Sequence, residues 1–270
     1  MVPELATRLD LAVSAARQAG AHLRDLYERR GELVIEQKGR NDFVSRADRE
    51  AEALIKDLVA AHYPGDAFIG EETGAAGLAA SAGAIWVVDP LDGTTNFLKG
   101  AHNWCVSIGL VLDGVIAAGV IYDPLRDEMF EGAVGDGARV SGRPIAVSTV
   151  TDPGEGVIGL GIVPRIGADR FSDDARALLA TGMSFRQVGA GALMLAYTAA
   201  GRVDAYFERH MWAWDATAGL ALIQAAGGAA LPYPTGPASL KGGAVLAANP
   251  VLLARLEDRL GGLDAPVAGA

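Results

Sequence analysis

A chain of 270 residues, half of them hydrophobic, can bury a substantial core, which excludes an intrinsically disordered protein. Its 33 acidic and 23 basic residues leave a net charge of −10, so there is no electrostatic footprint for nucleic acid or for an anionic membrane surface. The single cysteine, Cys105, excludes an intrachain disulfide and fits a reducing compartment.

Leu5, Leu9, Ala12, Val13, Ala16 and Leu23 recur at helical spacing and predict an amphipathic first helix. The chain does not open on a basic segment leading into an apolar core and a small-residue cleavage site, so no secretory signal is expected. A strand is expected at 33–38 and then a helix over about 47–62, with Leu54, Leu58 and Ala61 on one face and Tyr63-Pro64-Gly65 as its stop. Two short apolar strands follow, Ala67-Phe68-Ile69 and Ala84-Ile85-Trp86-Val87-Val88, and each runs directly into acid. From 104 to 147, short strands with turns at Asp113-Gly114, Tyr122-Asp123-Pro124 and Gly135-Asp136-Gly137 read as an antiparallel meander, with Cys105 as a buried, inert strand residue.

A polar stretch at 149–156 marks the boundary between two lobes, about 1–150 and 151–262, of a single domain. Strands near 157–160, 185–188, 204–208 and 244–248 then alternate with helices near 173–179, through Leu193 and Tyr197, after Asp215, and over 251–260. Gln224, Gly227, Gly228 and Pro232 break the most apolar stretches before they reach the ~20 residues of a membrane span, so a soluble cytoplasmic protein is expected. The small residues of 263–270 read as a flexible tail.

The acids that close the strands carry the chemistry. Asp89-Pro90-Leu91-Asp92-Gly93-Thr94-Thr95-Asn96-Phe97 sets two aspartates around a turn; Pro90 cannot donate a ladder hydrogen bond and Gly93 permits unusual backbone angles, so strand geometry ends within a few residues of Asp89. A helix starting at Gly93-Thr94 would aim free N–H groups at the same spot, placing an anion site beside a cation site. Taken alone, the segment is also what an ordinary acidic turn looks like. Gly70-Glu71-Glu72 repeats the strand-then-acid pattern, and since strand neighbours face opposite ways, Glu71 is assigned to the site and Glu72 to its flank. Asp215, in Trp212-Ala213-Trp214-Asp215, opens an apolar helix, where it could equally be a cap. Asp48, in Ser45-Arg46-Ala47-Asp48, divides evenly between a helix-capping role and a carboxylate behind the site.

Glu71, Asp89, Asp92 and Asp215 supply only carboxylate oxygen, which suits Mg²⁺ rather than zinc, and His22, His62, His102 and His210 show no metal-ligand spacing. Four carboxylates carry −4, which two Mg²⁺ cancel, and a third would leave +2 to meet a phosphate monoester dianion. Uncatalysed monoester hydrolysis is slow enough that enzymes supply up to ~10²¹-fold, which gives clustered cations a purpose. Phosphatases that form an aspartyl-phosphate carry D-x-D-G-T with one residue between the aspartates, whereas Pro90 and Leu91 make two here.

These segments, with Lys38, Asp42-Phe43-Val44-Ser45-Arg46-Ala47-Asp48, Trp214-Asp215-Ala216-Thr217-Ala218-Gly219 and Gly201-Arg202-Val203-Asp204-Ala205-Tyr206-Phe207-Glu208, resemble the inositol monophosphatase family over nearly the whole chain. The resemblance implies an α+β fold, a layered αβαβα sandwich of two lobes around a shared metal site. It also implies a Mg²⁺-dependent, lithium-sensitive phosphatase, commonly a homodimer. By the same resemblance Glu71, Asp89 and the Leu91 carbonyl would hold one ion, Asp89, Asp92 and Asp215 a second, and Glu71 with waters a third. Glu71 and Thr94, with Asp48 behind them, would orient and deprotonate the attacking water, and the Gly93 and Thr94 amides would grip phosphate.

Glu208 matches the family residue that contacts polyol hydroxyls, and Gly189-Ala190-Gly191 the loop beside it. The family loop often has Ser or Thr where this chain has Ala190, and a polar residue is frequent where it has Met194, which removes chances to read a hydroxyl. His210 lies near enough in sequence to touch substrate or simply pack, and Trp212 and Trp214 divide evenly between stacking on a ring and packing. The expected substrate is inositol 1-monophosphate, with fructose 1,6-bisphosphate, histidinol phosphate and a regulatory role through a protein partner as alternatives.

Overall fold

The computed structural model of the chain describes residues 3–32, 35–39, 42–75, 83–163, 166–235 and 240–260. Residues 33 and 34 of the expected first strand, the side chains of 32–45, Lys38 and Asp42 among them, and the expected tail lie outside the described residues. In chain order the elements are α1 (Pro3–Glu28), a 3₁₀ turn (Arg30–Glu32), β1 (Ile35–Gly39), β2 (Asp42–Ser45), α2 (Arg46–His62), β3 (Ala67–Gly70), β4 (Ala84–Asp92) and α3 (Thr94–Lys99). Next come β5 (Cys105–Leu112), β6 (Val115–Asp123), β7 (Glu128–Ala133), β8 (Gly137–Val140) and β9 (Arg143–Ile145), each antiparallel to the one before, which is the expected meander. A 3₁₀ turn (Pro153–Glu155) leads to β10 (Val157–Leu160), α4 (Ala168–Leu179), β11 (Ser184–Arg186), α5 (Gly191–Ala199) and β12 (Ala205–Met211). The chain closes with α6 (Ala213–Ala225), β13 (Ala229–Ala230), β14 (Gly243–Ala248) and α7 (Pro250–Leu260).

β2 was not expected, β12 runs on to Met211 beyond the expected 208, and three further elements differ from the sequence reading. α4 starts at Ala168, earlier than 173, because Gly167 at φ 83° turns the chain into the helix before any apolar repeat is visible. β11 stops at Arg186, because the carbonyls of Val188 and Gly189 turn inward to accept from the Asn96 side chain instead of a neighbouring strand. β13 is two residues long and too short to leave a pattern.

Period-two alternation sorts the strands into layers. One sheet has seven strands in the order β3-β4-β5-β6-β7-β8-β9, and another has five in the order β11-β10-β12-β14-β13. Trp86 and Val88 of β4, with Val106, Ile108 and Leu110 of β5, pack under α1 and α2. Ile85 and Val87 point the other way and share a core with α5, α6 and the Tyr206, Val245 and Ala247 face of the small sheet. The opposite face of that sheet, Ala205, Phe207, Leu246 and Ala248, is covered by Leu178 of α4 and by Leu252 and Leu256 of α7. The result is an αβαβα sandwich, and among the described residues no helix is long and apolar enough to cross a membrane.

α6 explains why Thr217-Ala218-Gly219 follow Asp215. The helix lies almost on the backbone of the large sheet: a Cβ at Gly119 would come within 2.2 Å of the Ala218 carbonyl oxygen, and one at Gly109 within 2.6 Å of Thr217 Cγ2. Gly219 gives the same room on the far side, where a Cβ would lie 2.3 Å from Leu195 Cβ of α5. Thr217 spends its hydroxyl on the Ala213 carbonyl at 2.7 Å, so no polar atom is stranded by this contact. Gly119→Ala should therefore push α6 off the sheet and cost about 1–3 kcal/mol, read as a lower midpoint in urea unfolding with unchanged m-value.

Candidate active site

β4 is buried along its whole length, and its end is irregular in a way that matters. Asp89 pairs with Ser107 and Asp92 with Cys105, so three steps along β4 answer two along β5 and the strand carries one extra residue. In a regular strand, residues three apart face opposite sides. The bulge at Pro90, which has no N–H to offer the ladder, turns both aspartates to the α5 and α6 side while Leu91 stays buried beneath α2.

β3 lies parallel to β4 with Gly70 beside Val88, and the Glu71 N–H donates to the Val88 carbonyl at 3.2 Å. Glu71 is thereby set next to Asp89. Asp48, in the first turn of α2 and 1% exposed, accepts from the Thr94 hydroxyl at 3.1 Å, and the same oxygen lies 3.1 Å from the Leu91 carbonyl. Gly93 heads α3 with φ 91°, and a Cβ there would meet the Asn103 carbonyl at 2.8 Å, so both backbone angle and space require glycine.

Asp92 faces the start of α5: its carboxylate accepts from the Gly191 and Leu193 amides, each at 3.2 Å. Asp215 lies in the first turn of α6, where Trp212 is the N-cap, and reaches back to accept from the Trp212 N–H at 3.3 Å. Asp89 accepts from the Leu91 N–H at 2.9 Å and shares a hydrogen bond with Asp215.

Asp89 and Asp92 are buried, Asp215 is half-buried, and the three lie close to one another. Burial, then the negative charges of Glu71, Asp215 and Asp92, holds the Asp89 carboxyl well above the usual carboxylate range. Burial also pushes Asp92 up to about 6 despite amide donors from α5 and the Cys105 thiol, and burial with the charges of Asp92 and Glu208 pushes Asp215 up to about 8. Such a cluster is poorly stable as bare anions and suits a cation. Among the described residues no three His, Cys, Asp or Glu side chains already enclose a point for one ion, so the fit rests on the donors, which are carboxylate and carbonyl oxygens of the kind Mg²⁺ takes.

A cleft of about 200 Å³ opens from Asp92 and Asp215 past Gly189, Ala190 and Gly191 to Glu208. Glu208 lies across Gly161, where a Cβ would fall 2.1 Å from its Oε2, and it accepts a short hydrogen bond from the Tyr206 hydroxyl. Asn96 ties the cleft loop to α3, donating to the carbonyls of Asn103 and Val188, both at 2.7 Å. Tyr206, Gly161, Asn96 and Glu52 were not singled out by the sequence. Tyr206 had a signal, because it shares a strand face with Glu208; Glu52 had one, because it lies one helical turn beyond Asp48.

The remaining candidates have partners of their own. His210 is buried with Nε2 2.7 Å from the Lys241 carbonyl oxygen, and its ring packs edge-on to Trp212. Trp212 and Trp214 stack on each other at 5.4 Å. Cys105 is fully buried behind Asp92, where burial and that carboxylate push its thiol up and keep it inert.

A two-sheet sandwich whose strand ends deliver carboxylates to a cleft between the sheets is also the fold of solved inositol monophosphatases. The structure of inositol monophosphatase from Anabaena (Nostoc) sp. PCC 7120 superposes with a TM-score of 0.81 at 33% identity, covering 99% of this chain and 100% of that one. Residues 4–260 match the model of the inositol monophosphatase family, and the chain belongs to that family. Nus factor SuhB of Escherichia coli K12 is 37% identical over 258 residues, covering 93% of this chain and 96% of the relative. Inositol-1-monophosphatase of Mesorhizobium japonicum is 40% identical over 247 residues, covering 90% and 92%.

The raised aspartates predict a cost in the metal-free protein. Asp215 has a folded value near 8 against an unfolded value near 3.9, so the native state holds its proton to higher pH than the unfolded state. Its contribution is therefore neutral below about pH 4, and stability is lost progressively as pH rises from about 4 to about 8. Asp215→Asn should raise the Tm of EDTA-treated protein at pH 8 by several degrees, with the gain vanishing near pH 4, in calorimetric scans of both proteins.

Proposed function

We propose that the protein is a Mg²⁺-dependent phosphate monoester hydrolase that releases inositol and phosphate from inositol 1-monophosphate. The observation that carries this reading is the cluster of mutually repelling aspartates, two buried and one half-buried, at the head of a cleft that ends in Glu208. The 40% identical relative named inositol-1-monophosphatase supports the substrate. In this reading Glu71, Asp89 and the Leu91 carbonyl would hold one ion, Asp89, Asp92 and Asp215 a second, and Glu71 with waters a third. Bound there, the ions would acidify a water and offset charge on the phosphate and the departing alkoxide.

The chain's own groups do the rest. Thr94 gives its hydroxyl proton to Asp48 or to the Leu91 carbonyl, which leaves its lone pairs to orient a water, and Glu71 takes that water's proton. The Gly93 and Thr94 amides, at the open end of α3, grip the phosphate oxygens. Glu208, braced by the Tyr206 hydroxyl, accepts from a polyol hydroxyl, and the 189–191 loop and Asp215 frame the same leaving group. The apolar lining from Ala190, Met194, Leu160 and Met211 keeps fructose 1,6-bisphosphate and histidinol phosphate as substrate alternatives. The same proposal includes the homodimer common in the family.

A second reading, a regulatory role through a protein partner, has one observation in its favour: relatives at 37% identity bear the name Nus factor, which is not the name of an enzyme. Phosphate release from inositol phosphates, fructose 1,6-bisphosphate, histidinol phosphate and a nucleotide 3′-phosphate, with Mg²⁺ and with EDTA, separates the readings. Release should be strongest on inositol 1-monophosphate, absent in EDTA, and lowered by more than about 100-fold in Asp92→Asn at saturating Mg²⁺. Preference for another ester moves the substrate, persistence in Asp92→Asn overturns the ligand set, and a phenotype rescued by Asp89→Asn favours the partner role.

A further inference from the structure

The aspartates are not the only buried acids at this end of the molecule. Glu52 of α2 is 1% exposed, and its two carboxylate oxygens accept from successive backbone amides, Oε2 from Glu72 at 2.9 Å and Oε1 from Thr73 at 2.8 Å. Gly70 makes the approach possible, since a Cβ there would lie 2.4 Å from Oε2.

The neighbouring amides of the turn are held as well. Gly70 and Gly74 exchange N–H and carbonyl groups at 3.2 and 2.9 Å, and the Glu71 N–H is on Val88 at 3.2 Å. The amides of 70 to 74 are thus all anchored, with Glu52 holding the two that follow Glu71. A turn this fully tied has one backbone position, and with it one place for the Glu71 side chain beside Asp89.

We propose that Glu52 is a positioning residue: it sets the divalent-ion affinity of the site by clamping the Glu71 turn against β4, and it touches neither ion nor substrate. The proposal rests on the metal-dependent reading above. Carboxylates that ligate an ion need partners that fix their orientation, and loss of such a partner weakens binding by about 10–100-fold. The clamp requires a carboxylate, because Gln can accept at only one end and would turn an NH₂ toward an amide N–H at the other. It also requires Gly70, because a methyl group there drives the carboxylate out while leaving its charge in place.

The test is calorimetric titration of Mg²⁺ into the wild type, Glu52→Gln and Gly70→Ala, with KM and kcat measured across Mg²⁺ concentrations. Wild type should bind Mg²⁺, and both variants about 10–100-fold more weakly, with kcat at saturating Mg²⁺ and substrate KM retained. Wild-type affinity in both variants overturns the clamp and leaves the metal reading intact. Weakening in Glu52→Gln alone also overturns it, assigning the effect to buried charge, as does a kcat loss in both at saturating Mg²⁺, which places Glu52 in the chemistry. Should Glu52→Gln fail to fold, Gly70→Ala decides by the same criteria, and a wild type that binds no Mg²⁺ overturns this proposal together with the reading beneath it.

Discussion

The rest of the structure depends on one unfavourable juxtaposition: buried aspartates at 89 and 92 and a half-buried one at 215 brought together, with Glu71 beside them. Like charges at such range in a poorly solvated site raise one another's pKa, and burial adds to the effect. A fold keeps such an arrangement only if its framework is stiff enough to hold it and something bound compensates it. The strain is local and its purpose is chemical, since what makes the acids poor anions in isolation makes them strong ligands for a hard cation.

The stiffness comes from backbone contacts more than from side-chain size. A one-residue bulge at Pro90 turns Asp89 and Asp92 to the same side. Gly109, Gly119 and Gly219 let α6 settle against sheet and helix, which fixes the depth of Asp215. α2 supplies two buried carboxylates, Asp48 toward Thr94 and Glu52 toward the turn after Glu71. Asn96 ties α3 to the loop at Val188 and Gly189, so the cleft wall and the acid cluster share one frame.

Much of this was legible in the sequence where the signal is local. The periodicity of α1, the turn chemistry of the meander and the strand-then-acid motifs each depend on a few adjacent residues, and the layers follow from alternation. What was not legible depends on partners distant in the chain. Glu52 shares a helix face with Asp48, but what it holds is visible only once the Glu72 and Thr73 amides are seen above it, and Gly161 has no visible purpose until Glu208 lies across it. Asp215 was placed at or near the start of its helix, and it lies there, in the first turn of α6, though as the third residue of a capping box and not as the cap itself. His210 shows the reverse case, since a residue type that often meets ligands is here buried against the Lys241 carbonyl.

The central claim is that this acid cluster is a divalent-cation centre. Crystals grown with Mn²⁺ and measured near the manganese absorption edge test it directly. The account predicts anomalous peaks among Asp89, Asp92 and Asp215 and between Glu71 and the Leu91 carbonyl, and their loss in Asp89→Asn. An empty map at those positions, with the wild-type protein folded and Mn²⁺ in excess, would contradict it.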